Sequence, residues 1–390
     1  MGKNLFFATL VAIVLAGCVK TEVDDLTTQK EMTKIVFDSP LLYSNFETKA
    51  EVHGEIGSYV YPGSTNAYSY PREEEFIIYA VKHEGNLVNW DSATETLFNG
   101  DVLGYDTDTD SWAPKTDDGK YYYWPENAKL SISAVSPADM EQAGADFALD
   151  YAGEGLTIDN FVVSSLPENQ IDVLFSRRTS NKTQADMLHS ADYYSGVSIS
   201  FQHALASIHF SVKKDAIAED VVLTKIELKN AKNKGSFAEN ITEGTDGSTY
   251  VINDNVNPEW TVDPSSKDSY VAFSGKISFP TEAKYVSVVA ASDVDEEGED
   301  EYSHPLLLLP QTLADDVELV ITYKIGNADG KTKTVKLNQY PKTSPLTHWN
   351  WGTKYTYRLY YSATSEIQDR IFFSPSTEGW IDAGIVEIPL

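Results

Sequence analysis

Short runs in which apolar and polar residues alternate recur along almost the whole chain, and they constrain the fold more than any other feature. A period of two indicates β-strands with one buried face, whereas an amphipathic helix needs apolar residues every three or four positions. No long run with the helical period is found. The pattern therefore predicts an all-β protein, with clear strand candidates at 33–38, 76–82, 120–124, 130–136, 171–175, 197–201, 206–212, 224–229, 285–291, 317–325, 333–337 and 354–361.

Turn residues separate several of these runs. Asp117-Asp118-Gly119 is a hairpin-type turn before the strand candidate at 120–124. Asn327-Ala328-Asp329-Gly330 is predicted to join the two following strands as a hairpin loop.

The alternation changes phase near residues 202–205. Apolar residues occupy odd positions in 197–201 but even positions in 206–212. Because neighbouring side chains of a strand point to opposite faces, one regular strand cannot contain both runs. A bulge, or a strand that crosses between two sheets, would explain the change. We place a domain boundary just before it, at residues 195 and 196.

The length of the chain favours two domains, because about 370 mature residues exceed one ordinary core. Two β-sandwiches in tandem are the economical interpretation, an N-terminal domain at 33–195 and a C-terminal domain at 196–390.

The N-terminus carries the features of an export signal. Lys3 precedes an apolar run at 5–15, and Leu15-Ala16-Gly17 leads into Cys18. The run is too short to span a bilayer permanently, so residues 1–17 are predicted to be a removable signal peptide. Leu-Ala-Gly-Cys also resembles the bacterial lipobox, in which a peptidase cuts before a diacylated cysteine. Cys18 is the only cysteine, and lipidation would remove a lone thiol from an oxidising compartment.

The alternative for this region is a plain secretory signal with an incidental cysteine. Residues 18–32 are polar and acidic, and we interpret them as a flexible tether. The cluster at 22–25 resembles the surface-export signal of lipoproteins in gut and oral Gram-negative anaerobes, although a solvated linker would have the same composition.

The charge of the chain excludes some partners. Residues 1–17 contain Lys3 as their only charged residue, so their removal changes the net charge from −29 to −30. Such a charge repels nucleic acid and anionic lipid headgroups. The lipid on Cys18 is therefore the only membrane contact that the sequence implies.

Motifs that carry chemistry are missing. The seven histidines have no metal-ligand spacing, and His203 and His209, which lie near predicted strands, are interpreted as structural. There is no Gly-x-Ser-x-Gly elbow, phosphate loop or cysteine nucleophile. The loop at 106–110 begins like a calcium loop, but Ser111 and Asp117 stand where that loop needs Gly and Glu. We expect no enzyme, no metal and no cofactor, although paired acids of a hydrolase remain open among 59 acidic residues.

Several segments are familiar as a set, each of them weak alone: Ile35-Val36-Phe37, Phe76-Ile77-Ile78-Tyr79-Ala80, Tyr123-Trp124-Pro125, 130–137, Ile171-Asp172-Val173-Leu174-Phe175, Phe201-Gln202-His203-Ala204-Leu205-Ala206, Leu308-Leu309-Pro310-Gln311, Trp351-Gly352-Thr353-Lys354-Tyr355-Thr356-Tyr357 and Gly379-Trp380. Together with the lipobox, their order over nearly the whole mature chain resembles the fimbrillin family (Mfa-like, FimA-like), the pilins of type V pili. The resemblance implies two transthyretin-like β-sandwiches in tandem.

The resemblance also implies a route of assembly: lipoprotein export, surface proteolysis that removes the first strand, and strand exchange between subunits. The matching first strand contains Ile35, Val36 and Phe37, and the removable segment would be 33–49. Alternation places Ile35 and Phe37 on one face, where we expect them to fill the core of the first sandwich.

In the family, the cut follows a basic residue, usually Arg, in the loop after the first strand. Here the matching place is Lys49, followed by Ala50. Lys49 departs from Arg, which puts cleavage by an arginine-specific protease in question. An ordinary surface lysine is the alternative.

The C-terminus also has two interpretations. Residues 371–373 and 385–390 could be a donor appendage that fills a neighbour's groove, with Val386 and Ile388 on the plugging face. They could equally be closing strands of the second domain, as in a tip or anchor subunit.

These expectations describe a non-enzymatic fimbrial subunit at the cell surface that supports adhesion. Its partners would be other fimbrial subunits or copies of itself, a processing protease, and the outer membrane through the lipid on Cys18. The alternative is a non-polymerising, glycan-binding surface lipoprotein, because 7 Trp and 23 Tyr could stack on sugars. A buried first strand beside a cleavable loop would favour the pilin, and an exposed aromatic row would favour the glycan binder.

Overall fold

The computed structural model describes residues 35, 37, 41–43, 67–86, 90–108, 110–115, 122–140, 143–153, 155–176, 178–190, 193–194, 196–197, 199–216, 218–242, 255–256, 258–281, 285–288, 305–340, 345–362 and 371–379. Within these ranges the regular structure is β-strands and short 3-10 turns, without an α-helix. The all-β class is thereby confirmed. The same ranges contain no helix long and apolar enough to cross a membrane.

The strands are, in chain order, β1 (Leu41–Tyr43), β2 (Ala67–Ser69), β3 (Phe76–His83), β4 (Glu95–Asp106), β5 (Ser111–Pro114), β6 (Lys129–Ser136), β7 (Ala148–Ala152), β8 (Gly155–Val162), β9 (Leu174–Ser176), β10 (Thr179–Lys182), β11 (Leu188–Ser190), β12 (Tyr193–Tyr194), β13 (Ser200–His203), β14 (Ala206–Lys214), β15 (Val221–Lys232), β16 (Lys234–Ala238), β17 (Ile241–Thr242), β18 (Asn255–Val256), β19 (Glu259–Val262), β20 (Lys267–Ser278), β21 (Val286–Ser287), β22 (Leu306–Leu308), β23 (Gln311–Thr312), β24 (Glu318–Ile325), β25 (Lys331–Lys336), β26 (His348–Trp349), β27 (Thr353–Tyr361) and β28 (Ile371–Gly379). The 3-10 turns include Trp90–Ser92, Pro167–Asn169, Gln184–Met187 and Leu337–Gln339.

The first sheet has the order β2-β1-β13-β9-β6-β3-β4-β5, with β10 beside β6. One face of its central strand β3 carries Phe76 and Ile78 into a core of its own. The opposite face of β3 carries Tyr79 and Val81 into a second, larger core, which also contains side chains of β8 and β16. Since both faces of β3 are buried, its sequence is a nearly continuous apolar run.

The change of phase near residues 202–205 is a crossing between sheets. β13 pairs with β9 in the first sheet, whereas β14 pairs with β27 in a different sheet. Between them, the Ala204 amide donates to the Val173 carbonyl at 2.8 Å, and the Leu205 carbonyl accepts from the Gly352 amide at 2.8 Å. Gly352 has a φ of +59°, which glycine adopts without strain. Of the two explanations that the sequence left open, a bulge and a crossing between sheets, the structure shows the crossing.

Two sheets enclose the remaining part of the larger core. One has the order β21-β14-β27-β28 with β22 beside β14, and the other has the order β20-β15-β24-β25. β28 pairs with β27 from Tyr361 opposite Ile371 to Thr353 opposite Gly379. Residues 371–373 therefore close the protein's own sheet in this structure, while residues 385–390 lie outside the described ranges.

Several predicted strands coincide with observed ones, namely those at 76–82, 130–136, 206–212, 224–229, 317–325, 333–337 and 354–361. The hairpin at 327–330 is confirmed, because β24 and β25 pair antiparallel across it. The candidate at 171–175 is only partly correct, since pairing as a strand begins at Leu174. Tyr122–Trp124 contains an isolated bridge rather than a strand, and the turn at 117–119 lies outside the described ranges.

The boundary at residues 195 and 196 stays a prediction. Residues beyond it supply β13 to the first sheet, and they supply β16 and β19 to the sheet β19-β16-β8-β7. Hydrogen-bonded pairing therefore links sequence on both sides of that position.

Candidate assembly site

The segment around Ile35 and Phe37 is built into the first core. The Ile35 amide donates to the Tyr122 carbonyl at 2.8 Å. Phe37 and Trp112 exchange two backbone hydrogen bonds, each 3.2 Å long, and Phe37 also forms a parallel bridge with Val197. The side chains of Ile35 and Phe37 are 1% and 0% exposed, so both occupy the core positions that alternation predicts.

Aromatic rings surround this segment. Phe37 meets Phe98 edge to face with centroids 5.9 Å apart, and Phe76 lies 5.3 Å from Trp112 and 5.5 Å from Phe201. Pairs at these separations add to the free energy gained by burial. The first segment therefore contributes buried apolar surface to this core. If the segment were removed, another strand would have to supply comparable apolar side chains to keep the core filled.

β1, which follows Ile35 and Phe37 in the sequence, also pairs with strands of the first sheet. It pairs parallel with β13, Leu41 opposite Ser200, and antiparallel with β2, Leu41 opposite Ser69. β1 and the Ile35–Phe37 segment both precede Lys49 in the sequence. Among the residues singled out from sequence, Cys18, Val36, Lys49, Ala50, Val386 and Ile388 lie outside the described ranges.

Two serine–histidine pairs deserve a test as catalytic groups. Ser131 Oγ lies 3.0 Å from His83 Nε2, and Ser207 Oγ lies 2.8 Å from His209 Nε2. Both serine side chains belong to residues that are 0% exposed, so no substrate can reach them. Burial lowers the pKa of His83, and burial lowers the pKa of His209 well below 6.5. These pairs satisfy buried polar atoms, which is a structural role.

Among the residues that the structure describes, one buried carboxylate contacts a histidine, and this pair is separate from both serines. Asp172 Oδ2 lies 2.8 Å from His203 Nδ1, and both side chains are 1% exposed. A hydrolytic triad needs the serine and the acid on the same imidazole, and here they contact different ones. The structure supports the structural interpretation of His203 and His209.

Carboxylates of the loop at 106–110 already accept hydrogen bonds from other groups of the protein. The Asp108 amide donates to Asp106 Oδ1 at 2.9 Å, and Asp110 accepts from Tyr105 and from Arg72. Within the described part of the chain, no group of three or more His, Cys, Asp or Glu side chains could hold a metal ion.

Sequence reasoning missed the residues that receive the first segment. Trp112, Tyr122 and Val197 receive it through backbone groups, which carry no sequence signature. β1 was also missed, although Leu41-Leu42-Tyr43 after Pro40 is a short apolar run that could have been noticed.

Comparison with known proteins identifies the family. A family model described as fimbrillin-like matches residues 71–380. Among solved structures, a fimbrial protein from Bacteroides vulgatus is similar at 18% identity and a TM-score of 0.49, over 89% of this chain and 99% of that one. A proposed cell adhesion protein from Bacteroides ovatus gives 13% identity and a TM-score of 0.49, over 90% and 99%. A fimbrial assembly protein from Parabacteroides distasonis gives 10% identity and a TM-score of 0.37, over 92% and 100%.

No curated protein matches the chain. The assignment rests on the family model, which spans most of the sequence, from the residues just before β3 to the end of β28. The chain therefore belongs to the fimbrillin-like family.

Proposed function

We propose that the protein is a fimbrial structural subunit that is exported as a lipoprotein and assembled by proteolysis-triggered β-strand exchange. Membership of the family supports a non-enzymatic subunit that contacts other fimbrial subunits at the cell surface. The observation that carries the assembly step is the pairing of Ile35, Phe37 and β1 with the strands around the first core, upstream of Lys49 in the sequence.

Removal of the chain up to Lys49 would free both the backbone and the side-chain partners of this segment. Trp112 would lose its two hydrogen bonds to Phe37, and the Tyr122 carbonyl would lose the Ile35 amide. β13 would lose its parallel neighbour β1. An edge with unpaired amides and carbonyls next to an emptied apolar groove accepts a strand from another chain by β-augmentation.

The apolar side chains lost from the emptied groove determine which side chains an incoming strand must provide. Truncating one large buried apolar side chain costs about 2–5 kcal/mol. A donor strand must offer apolar residues at alternate positions to recover that loss, as Ile35 and Phe37 do. Val386 and Ile388 provide such a pair in the sequence, and we propose them as one source.

The anchor completes the proposal. Lipid on Cys18, the acidic tether at 18–32 and cleavage after Lys49 would hold the precursor at the outer membrane until processing releases it. Changing Cys18 to Ala should abolish lipid labelling and leave the precursor uncut at this position, whereas Thr21→Ala should behave as wild type. Acylation that persists in Cys18→Ala would contradict the anchor.

The alternative function, glycan binding through stacked aromatic side chains, has little support in the described residues. Trp112 and Trp349 are fully buried, and Trp90, Trp124 and Trp260 are nearly so. The large apolar side chains that are exposed in the described ranges include one aromatic side chain, that of Tyr123; the others are Leu166, Val271 and Val286.

A direct test treats the purified chain, lacking its first 18 residues, with a lysine-specific protease under native conditions. We expect a new N-terminus at Ala50, followed by a ladder of polymers on denaturant-free gels. Lys49→Ala should yield neither, while Lys331→Ala, which removes an exposed lysine of β25, should behave as wild type. A polymer ladder from uncut Lys49→Ala, or a cut chain that stays monomeric, would refute the assembly step.

A further inference from the structure

The proposed cleavage site lies, in the sequence, between two strands that pair with each other. β1 pairs antiparallel with β2, from Leu41 opposite Ser69 to Tyr43 opposite Ala67. Lys49 stands between these two strands in the chain. A cut after Lys49 therefore assigns hydrogen-bonded neighbours to different pieces: β1 leaves with the removable segment, and β2 stays with the mature subunit.

The removable segment has strand partners on both of its sides. On one side, Phe37 bridges to Val197 and β1 pairs with β13. On the other side, Phe37 bridges to Trp112 of β5 and β1 pairs with β2. The segment is thus an interior strand, and its removal leaves the groove with an open backbone edge along each side. A strand that takes its place can form hydrogen bonds with both edges.

β2 depends on β1 for its place in the sheet. In the part of the chain that the structure describes, β2 lies at the end of the first sheet and pairs with β1 alone. The loss of β1 would leave a strand of three residues without a neighbour, and so short a strand is not stable by itself in water. The edge of β2 that faces the groove is then open to the next strand that enters.

Tyr70, the residue directly after β2, holds this part of the chain at the rim of the groove. Its side chain is buried, and its hydroxyl donates to the Glu75 carbonyl at 3.0 Å and lies 2.6 Å from Ser136 Oγ. The centroid of its ring lies 5.4 Å from that of Trp112 and 5.3 Å from that of Phe201. All of these partners belong to the mature chain, so Tyr70 stays anchored when the first segment leaves.

The same anchor opposes collapse of the emptied groove. β2 and β13 lie on either side of β1, so their backbones are two strand spacings apart, about 10 Å. Direct pairing of β2 with β13 would need a separation of about 5 Å. Such a shift would pull the Tyr70 hydroxyl away from Ser136 and Glu75, and buried polar groups that lose their partners cost free energy. The anchor therefore favours a groove that keeps the width of one strand.

We propose that β2 stays with the mature subunit and pairs with the strand of a second fimbrial subunit that enters the groove, and that Tyr70 is the residue that positions β2. The incoming strand then lies between β13 and β2 with hydrogen bonds on both sides, as β1 does in the precursor. An interior place excludes proline wherever the incoming strand pairs on both sides. This inference rests on the proposed function and adds a second receiving edge to it.

The test is amide hydrogen exchange, measured by mass spectrometry on fragments that cover β2 and β13. The chain without its first 18 residues is compared uncut, cut and freed of its first segment, cut with a synthetic peptide of residues 33–43, and polymerised. Backbone amides of β2 should exchange slowly in the uncut chain and at least about tenfold faster in the emptied chain, because they lose their partner. They should be slow again with the peptide and in the polymer, as should those of β13.

The two strands separate this inference from the proposed function. Amides of β2 that stay fast in a polymer in which those of β13 are slow would overturn the inference, because the incoming strand would then be paired on one side only. Fast exchange at both strands in the polymer would contradict strand exchange at this groove. The peptide then still decides whether β2 accepts a strand from another chain, and fast exchange of β2 with the peptide present would overturn the inference.

A matched pair of variants tests Tyr70 as a positioning residue. Tyr70→Phe keeps the ring and removes the hydroxyl, and it should weaken binding of the peptide to the emptied chain by about threefold or more. Tyr357→Phe removes the hydroxyl of another buried tyrosine, which accepts from Trp349 Nε1 at 2.9 Å in a different sheet, and it should change this affinity by less than about twofold. Equal affinity of Tyr70→Phe and wild type would overturn the role of Tyr70, and the exchange measurement on the wild-type chain does not depend on the folding of either variant.

Discussion

The indole Nε1 of Trp260 donates a hydrogen bond of 2.7 Å to the carbonyl oxygen of Ala204. Ala204 is the residue at which the chain leaves the first sheet, and Trp260 belongs to β19 in the sheet that packs against it. The hydrogen bond therefore ties the residue at which the chain crosses between sheets to β19, a strand of another sheet.

Replacing Trp260 by Phe should lower the free energy of unfolding by about 1–3 kcal/mol, because the Ala204 carbonyl is left buried without its donor. The ring contacts with Phe161 and Phe237, at 5.5 and 5.4 Å, can be kept by Phe. Urea unfolding followed by fluorescence measures the change. Trp351→Phe, at a partly buried Trp that packs on Phe175, is the matched control and should cost clearly less. Equal losses in the two variants would show that the hydrogen bond contributes nothing.

Truncation of the first segment should destabilise the precursor strongly. Ile35→Ala and Phe37→Ala should each cost about 2–5 kcal/mol, because both side chains are fully buried in the first core. Val271→Ala, at a residue that is 40% exposed, should stay within about 0.5 kcal/mol. Denaturant midpoints measured on uncut protein make the comparison. A midpoint for Phe37→Ala within error of wild type would mean that the segment does not hold the core together.

Stability should depend on pH through His209. Burial lowers the pKa of His209 well below 6.5, so the folded state keeps the imidazole neutral where the unfolded state takes up a proton. Stability is therefore fully present above the unfolded pKa and falls as the pH drops below it.

His209→Gln should flatten that decline between about pH 7 and pH 5, relative to wild type. Thermal unfolding across this range gives the readout. His348→Gln, at a histidine of β26 whose pKa is lowered by burial less than that of His209, should flatten the decline to a smaller extent. An identical pH profile for wild type and His209→Gln would contradict the assignment.

The alternation of apolar residues correctly predicted strands that bury one face in the core, because that pattern is visible in the strand's own sequence. β14 is an example, and so is the crossing before it, because the change of phase is a local property of the sequence. The pairing of β16 with β8 could not be predicted, since those strands are about 70 residues apart in sequence and register depends on the partner as much as on the strand.

The candidate site was predictable only in its apolar part. The spacing of Ile35 and Phe37 identified the face that is buried, and both lie there. Their neighbours Trp112 and Val197 were not predictable, because the contacts run through backbone groups that every residue carries. β1 is three residues long, which is too short for a period to be measured.

The central claim is that the segment up to Lys49 must leave before subunits join, and a reversible lock on β1 tests it most directly. Leu41 and Ser200 are register partners in the parallel β1–β13 pair, so their Cα atoms are close enough for a disulfide. The double variant Leu41→Cys, Ser200→Cys is made in the chain without residues 1–18, which removes the natural cysteine, and each single variant is its control.

After protease treatment, the oxidised double variant should be cut at Lys49 but remain monomeric on native gels, because the severed segment stays tied into its groove. Added reductant should start polymerisation at the rate of the cut wild type, and the single variants should polymerise with or without reductant. A polymer ladder formed by the oxidised, cut double variant would contradict strand exchange at this groove.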